Sequence, residues 1–117
     1  MSAAASEAGL AGMVVAGDGE PIAVAGAEVR GEAAYVHSVA VDPEARGRHI
    51  GTLVLAAAVG RARRTGATWC GLLTEEAEGF FGRHGFAPTE REKLPPWMQR
   101  LADACAESAV AMKRPLA

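Results

Sequence analysis

The stretch Val39-Ala40-Val41-Asp42-Pro43-Glu44-Ala45-Arg46-Gly47-Arg48-His49-Ile50-Gly51-Thr52 decides how this chain is read. Its first residues close an alternating apolar run, Asp42-Pro43 ends strand pairing because proline has no N–H to donate, and a glycine-bearing loop then enters a helical pattern. A corner of this kind aims several backbone N–H groups at one spot, and the helix dipole adds partial positive charge there. That geometry suits a pyrophosphate. No G-x-x-x-x-G-K-[ST] and no G-x-G-x-x-G after a strand occurs, which disfavours a P-loop kinase or a Rossmann dehydrogenase. Taken alone, the stretch is equally well an ordinary strand-loop-helix corner.

Upstream, Met13 to Ala16 is a short apolar run, Gly17-Asp18-Gly19-Glu20 supplies turn residues, and Pro21 opens a second run to Val29, predicting a β-hairpin. Ala33 to Val41 is a third strand, whose period of two places Tyr35, His37, Val39 and Val41 on one face and Val36, Ser38 and Ala40 on the other. Downstream, a helix spans Ile50 to Arg64, apolar almost all round at its start, as suits a helix crowded by neighbours. Arg61, Arg63 and Arg64 form its last turn, beside the carbonyl end of the dipole and about 20 Å from the loop, and are expected to be solvated.

Thr68 to Leu73 returns as a buried strand. Thr74 caps a second helix with Ala77, Phe80, Phe81 and His84 on its apolar face, and Gly85 stops it. Phe86-Ala87-Pro88 is extended, Pro95-Pro96 opens a third helix with Trp97, Met98, Leu101 and Cys105 inward, and Ser108 to Met112 is the last strand. The expected fold class is α+β, a single domain with a mixed, mostly antiparallel sheet flanked by helices.

The 117 residues, half of them apolar and 22% charged, are enough for one domain with one core. A formal charge of −2 gives no field to gather nucleic acid or an anionic membrane. The longest apolar run, Leu53 to Val59, is far short of the roughly 20 residues of a membrane span. Residues 1–11 read as a flexible leader and 12–117 as the domain. Cys70 and Cys105 fit reduced thiols, and the expected location is cytoplasmic; no metal-ligand spacing is present.

Two segments bring a family into view. Arg46-Gly47-Arg48-His49-Ile50-Gly51 is similar to the R/Q-x-x-G-x-G/A cofactor motif of the GNAT superfamily of acyl-CoA N-acetyltransferases. Ala77 through Phe86 is similar to that family's A-x-x-F-Y-x-x-x-G-F helix and turn. The downstream half, from Leu72 through Pro96 to Met112, resembles the branch holding arsenic-resistance-associated N-acetyltransferases and the N-acetylglutamate synthase domain.

The resemblance covers roughly residues 12 to 117. It implies acetyl-CoA as co-substrate and a small-molecule amine as acceptor, an amino acid or an amino-acid-like compound, with no metal. It places the donor on Arg46, Gly47, Arg48, His49, Ile50, Gly51 and Thr52. It also implies that Val39 and Val41, on a strand that parts from its neighbour, offer backbone groups to the pantetheine arm and the thioester oxygen.

Three departures accompany it. His49 stands where the motif has glycine, so the backbone there either avoids left-handed geometry or accepts it at a cost. Phe81 replaces the tyrosine that protonates the departing thiolate in many relatives. The strand and two helices that usually precede the meander have only a dozen residues in their place, so the acceptor site is open, completed by another subunit, or absent.

Acetyl transfer needs a base for the attacking amine and a donor for the oxyanion. His37 is the preferred base, its reference pKa of about 6.5 suiting proton transfer near neutrality, with a half-exposed strand histidine as the plain alternative. Tyr35 is a second candidate, balanced against a core aromatic. Cys105 is expected to be a packing residue and His84 a satisfied structural histidine. Arg83 and Arg91 are weaker candidates, for the adenosine 3′-phosphate and an anionic substrate, with a plain surface role favoured for both. The competing function is a non-catalytic module of the same fold that binds acyl-CoA or regulates a partner. Exposed sheet edges would also let two copies pair as a homodimer.

Overall fold

The structure, a computed structural model, describes residues 5–7, 13–16, 23–43, 49–102 and 107–116. The elements in chain order are β1 (Ala5–Glu7), β2 (Met13–Ala16), β3 (Ala23–Arg30), β4 (Ala33–Val41), α1 (Ile50–Arg64), β5 (Trp69–Thr74), α2 (Glu78–Arg83), β6 (Ala87–Thr89), α3 (Pro96–Leu101) and β7 (Val110–Pro115). One sheet takes all the strands in the order β1-β2-β3-β4-β5-β7-β6. Only β4 and β5 run parallel, and α1 makes the crossover between them, as parallel neighbours require. The α+β class and the mostly antiparallel sheet are as the sequence predicts.

Alternation on the central strands builds two cores. Ala34, Val36, Cys70, Leu72 and Met112 point to the side covered by α1 and α2, where they meet Leu55, Val59 and Phe81. Ala33, Tyr35 and Ala111 point the other way, under Leu94 and Met98 of the α3 region. On β3 the alanines at 23 and 25 lie beneath Ile50, Val54 and Ala58. Small side chains there let α1 sit close to the sheet.

Five sequence expectations change. Residues 5–7, inside the stretch read as a flexible leader, form β1, because their backbone pairs antiparallel with β2, Ala5 opposite Ala16. The helix α1 is not apolar all round in its packing. Leu53 is 37% exposed and Ala56 is also exposed, since the sheet covers only the face of Ile50, Val54, Leu55, Ala58, Val59 and Ala62. Arg63 is not simply solvated, because its Nε donates to the Leu116 carbonyl at 3.1 Å and ties the helix end to the chain after β7. Leu101, expected inward, is 41% exposed, while Met98 one turn earlier is fully buried. Cys105 lies outside the described residues.

The fifth change positions the site. On β3 a single residue, Ala25, separates Val24 from Gly26, but their partners on β4 are Ala40 and His37, with Ser38 and Val39 between them. Two residues of β4 thus oppose one of β3, a β-bulge. An extra residue reverses the alternation, so Tyr35 and His37 stay on one face while Val39 and Val41 turn to the α1 side and pack against its core. The single face predicted for all four residues is therefore split in two.

The face assigned to α3 has a direct check. Met98→Ala is expected to destabilise the protein by about 2–4 kcal/mol in urea denaturation, whereas Leu101→Ala should stay within about 0.5 kcal/mol of the parent.

Candidate active site

Just before the bulge, β4 loses its neighbour. Its pairing with β5 ends at Tyr35 opposite Gly71, while β5 continues to pair with β7 along all six of its residues. The two strands part, and among the described residues β4 from Val36 onward has no ladder partner on that side. A cleft of 510 Å³ occupies the gap, with His37, Val39, Leu72, Thr74 and Phe81 among its walls. A second cleft of 590 Å³ adjoins it at the start of α1, where Val41, His49, Gly51, Thr52, Arg83 and His84 line it. The two share Val39, Ala77 and Phe80, which makes one path from the helix terminus to His37.

The terminus is shaped by His49. It caps α1 with φ 59° and ψ 21°, and among the described residues it is the one non-glycine with positive φ. Histidine has accepted the left-handed geometry. Its carbonyl receives the Leu53 N–H at 3.1 Å, which closes the first helical turn and leaves the N–H groups of Ile50, Gly51 and Thr52 without intrahelical partners.

Ile50 contributes backbone only, since its side chain is 5% exposed in the core. At Gly51 a Cβ would stand 3.4 Å from the Phe80 ring and from Val41 Cγ2, narrowing the cleft at its floor. Arg46, Gly47 and Arg48 lie outside the described residues.

The α2 side of the cleft is set by its ends. Thr74 Oγ1 accepts the Ala77 N–H at 3.0 Å, the capping bond the sequence suggests, although the helix itself begins only at Glu78. Gly85, at φ 88°, ends it with a backbone conformation that side chains disfavour. Between these ends Phe80 faces both clefts, edge-on to Phe81 at 5.2 Å and tilted against His84 at 4.8 Å. The His84 ring, read as a satisfied structural histidine, reaches across the cleft, its Nε2 lying 3.1 Å from Thr52 Oγ1.

The two catalytic candidates separate. His37 is half-buried and lines the gap. Tyr35 is 5% exposed in the α3-side core and stacks on His37 at 6.1 Å, so its ring packs and holds the imidazole rather than facing either cleft. Phe81 is buried at the gap and brings no hydroxyl. Arg83 lines the terminal cleft, and Arg91, in a 3₁₀ turn at Arg91–Lys93, is not among its walls.

Cys70 is fully buried, and burial pushes its thiol up to about 11 against the smaller lowering effects of Arg114 and Arg63. It is no nucleophile. The sequence reading gave no ligand role to Ala77, Phe80 or Thr74. The signal for the first two was their place on the apolar stripe of the second motif.

Residues 9–88, more than half of the chain, match the family model described as the acetyltransferase (GNAT) domain. The chain belongs to the GNAT family. It is 35% identical over 72 residues to an uncharacterized N-acetyltransferase of Methanocaldococcus jannaschii, covering 58% of this chain and 31% of that one. Among solved structures it is similar to N-acetylglutamate synthase from Neisseria gonorrhoeae, complexed with coenzyme A and N-acetyl-glutamate. The TM-score is 0.83 at 19% identity, over 91% of this chain and 26% of that one.

A Mycobacterium tuberculosis protein solved with CoA matches at TM-score 0.78 and 22% identity, over 90% of this chain and 76% of that one. At such identities the likeness is one of fold. The chain spans about a third of the curated relative and a quarter of the gonococcal synthase. Among the described residues no helix is long and apolar enough to cross a membrane, and no group of His, Cys, Asp and Glu is placed to hold a metal ion.

Two outcomes follow for this GNAT chain. His49→Gly should raise stability to urea by about 0.5–1 kcal/mol, because the left-handed cost of a side chain exceeds glycine's entropic cost, and His49→Val should lower it. In a Cys105→Ala variant at pH 8, a thiol reagent should label Cys70 only as fast as the protein unfolds.

Proposed function

We propose that this chain transfers the acetyl group of acetyl-CoA to the amine of a small molecule, an amino acid or amino-acid-like compound, in the cytoplasm. The observation that carries the reading is the parting of β4 from β5, which opens strand backbone onto a path ending at the first N–H groups of α1. An extended thioester with a diphosphate at one end fits such a path. Its anionic end meets the helix terminus and Arg83, and its arm lies along Val39 and Val41.

The donor supplies an activated carbonyl. The rest of the work falls to this chain's residues. Backbone N–H groups at the bulge face the thioester oxygen and stabilise the negative charge it gains as the amine nitrogen bonds to the carbonyl carbon. The ring of His37, on the wall of the gap, takes the proton the amine loses, directly or through one water. The C–S bond then breaks and the sulfur leaves with its electron pair. Phe81 cannot protonate it, so water in the open cleft does.

The experiment is a calorimetric titration of acetyl-CoA into the protein, followed by thiol release with a panel of amines. Saturable binding and amine-dependent release are expected, with kcat/KM falling about a hundredfold in His37→Ala while donor affinity is kept. Binding without release from any amine would leave an acyl-CoA-binding module, and unchanged turnover in His37→Ala would remove that residue from the chemistry.

A further inference from the structure

The hydrogen bond between Thr52 and His84 joins two elements distant in sequence across the mouth of the terminal cleft, and the transfer chemistry uses neither group. Thr52 is the third residue of α1, beside the N–H groups that lack intrahelical partners, and its hydroxyl has one hydrogen and two acceptor lone pairs. The His84 ring rests on Phe80 at 4.8 Å with Nε2 3.1 Å from Thr52 Oγ1, and Thr52, His84 and Arg83 all line the same cleft. The ring tautomer decides what the hydroxyl can do. If Nε2 carries the hydrogen, it donates to Thr52, whose own O–H is left to donate into the cleft. If Nε2 is bare, it accepts that O–H and the cleft loses a donor.

Resting on the transferase reading, we infer that His84 is a positioning residue for the donor's diphosphate: it holds Thr52 by an Nε2–H donation, so that the Thr52 hydroxyl hydrogen-bonds a phosphate oxygen alongside the first N–H groups of α1. An anion in the cleft selects the tautomer that frees the donor, so ring and ligand favour each other. The Phe80 face keeps the imidazole from turning away. The same contact ties the end of α2 to the start of α1, joining the two motifs through one pair of side chains.

The test compares CoA, which carries the diphosphate, with pantetheine, which lacks it, by calorimetric titration of the whole protein. His84→Phe keeps a ring against Phe80 without the nitrogen, His84→Gln keeps an N–H donor, and Thr52→Val keeps the shape without the hydroxyl. The expected result is that His84→Phe and Thr52→Val each weaken CoA about ten- to a hundredfold, the worth of one hydrogen bond to a charged group, with pantetheine affinity unchanged. His84→Gln should stay within about twofold, and the double variant should bind CoA no more weakly than Thr52→Val alone, as coupled partners do.

A constant ratio of CoA to pantetheine affinity in His84→Phe would overturn the proposal, as would independent, additive losses. If His84→Phe fails to fold by circular dichroism, the ratio in His84→Gln and Thr52→Val decides, a loss in the latter alone supporting the assignment and equal losses in both overturning it. A parent protein that binds neither compound would overturn the donor site itself, and with it this role. Binding with the expected ratios but no acetyl transfer would sink the transferase reading and leave the His84 assignment supported.

Discussion

One additional residue in β4 governs the arrangement. Because side chains alternate along a strand, two residues opposite a single Ala25 reverse the order of faces from that point on. Without the bulge, Val39 and Val41 would lie on the α3 side with Tyr35, and α1 would lose the valines that pack against Ile50 and Val54. Pairing with β5 ends at Tyr35, just short of it, because the bulged strand turns and twists away from its neighbour. The gap that results opens β4 backbone at the centre of the sheet.

Everything else that forms the cleft is organised around that gap. The crossover helix α1 brings its N-terminus to the C-terminal end of β4, where a left-handed His49 turns the chain into the first helical turn. The short α2 closes the other side, started by the Thr74 bond to Ala77 and stopped by Gly85, which leaves Phe80 and His84 facing α1. The α3 region seals the opposite face of the sheet over Tyr35. His37 lies at that boundary, with a packed tyrosine behind it and the cleft in front.

The departures from the family motifs have specific structural consequences. A histidine in left-handed geometry keeps the corner's shape at an energetic cost, and its side chain stays exposed at the cleft edge. A phenylalanine at 81 takes part in the aromatic cluster with Phe80 and Phe86 and brings no hydroxyl to the gap. Neither substitution closes the path between the two clefts. The sheet's open gap and the helix terminus persist because they are made from backbone.

The sequence by itself determined the order of elements from β2 onward, the extent of α1 and the presence of a glycine-bearing corner before it. These follow from local periodicity and from residues that stop helices and strands. It also brought out His37, His49, Gly51 and Thr52, which the structure gathers around the clefts. Only the tertiary structure decided which face Val39 and Val41 occupy, because nothing local in Val-His-Ser-Val distinguishes a bulge from a regular strand; the pairing with β3 does. It likewise decided that Tyr35 packs, that Leu101 is exposed, and that His84 meets Thr52. A histidine on an apolar stripe is legible from spacing, but its partner stands 32 residues away on another helix, and only the packing of α2 against the start of α1 brings the two together.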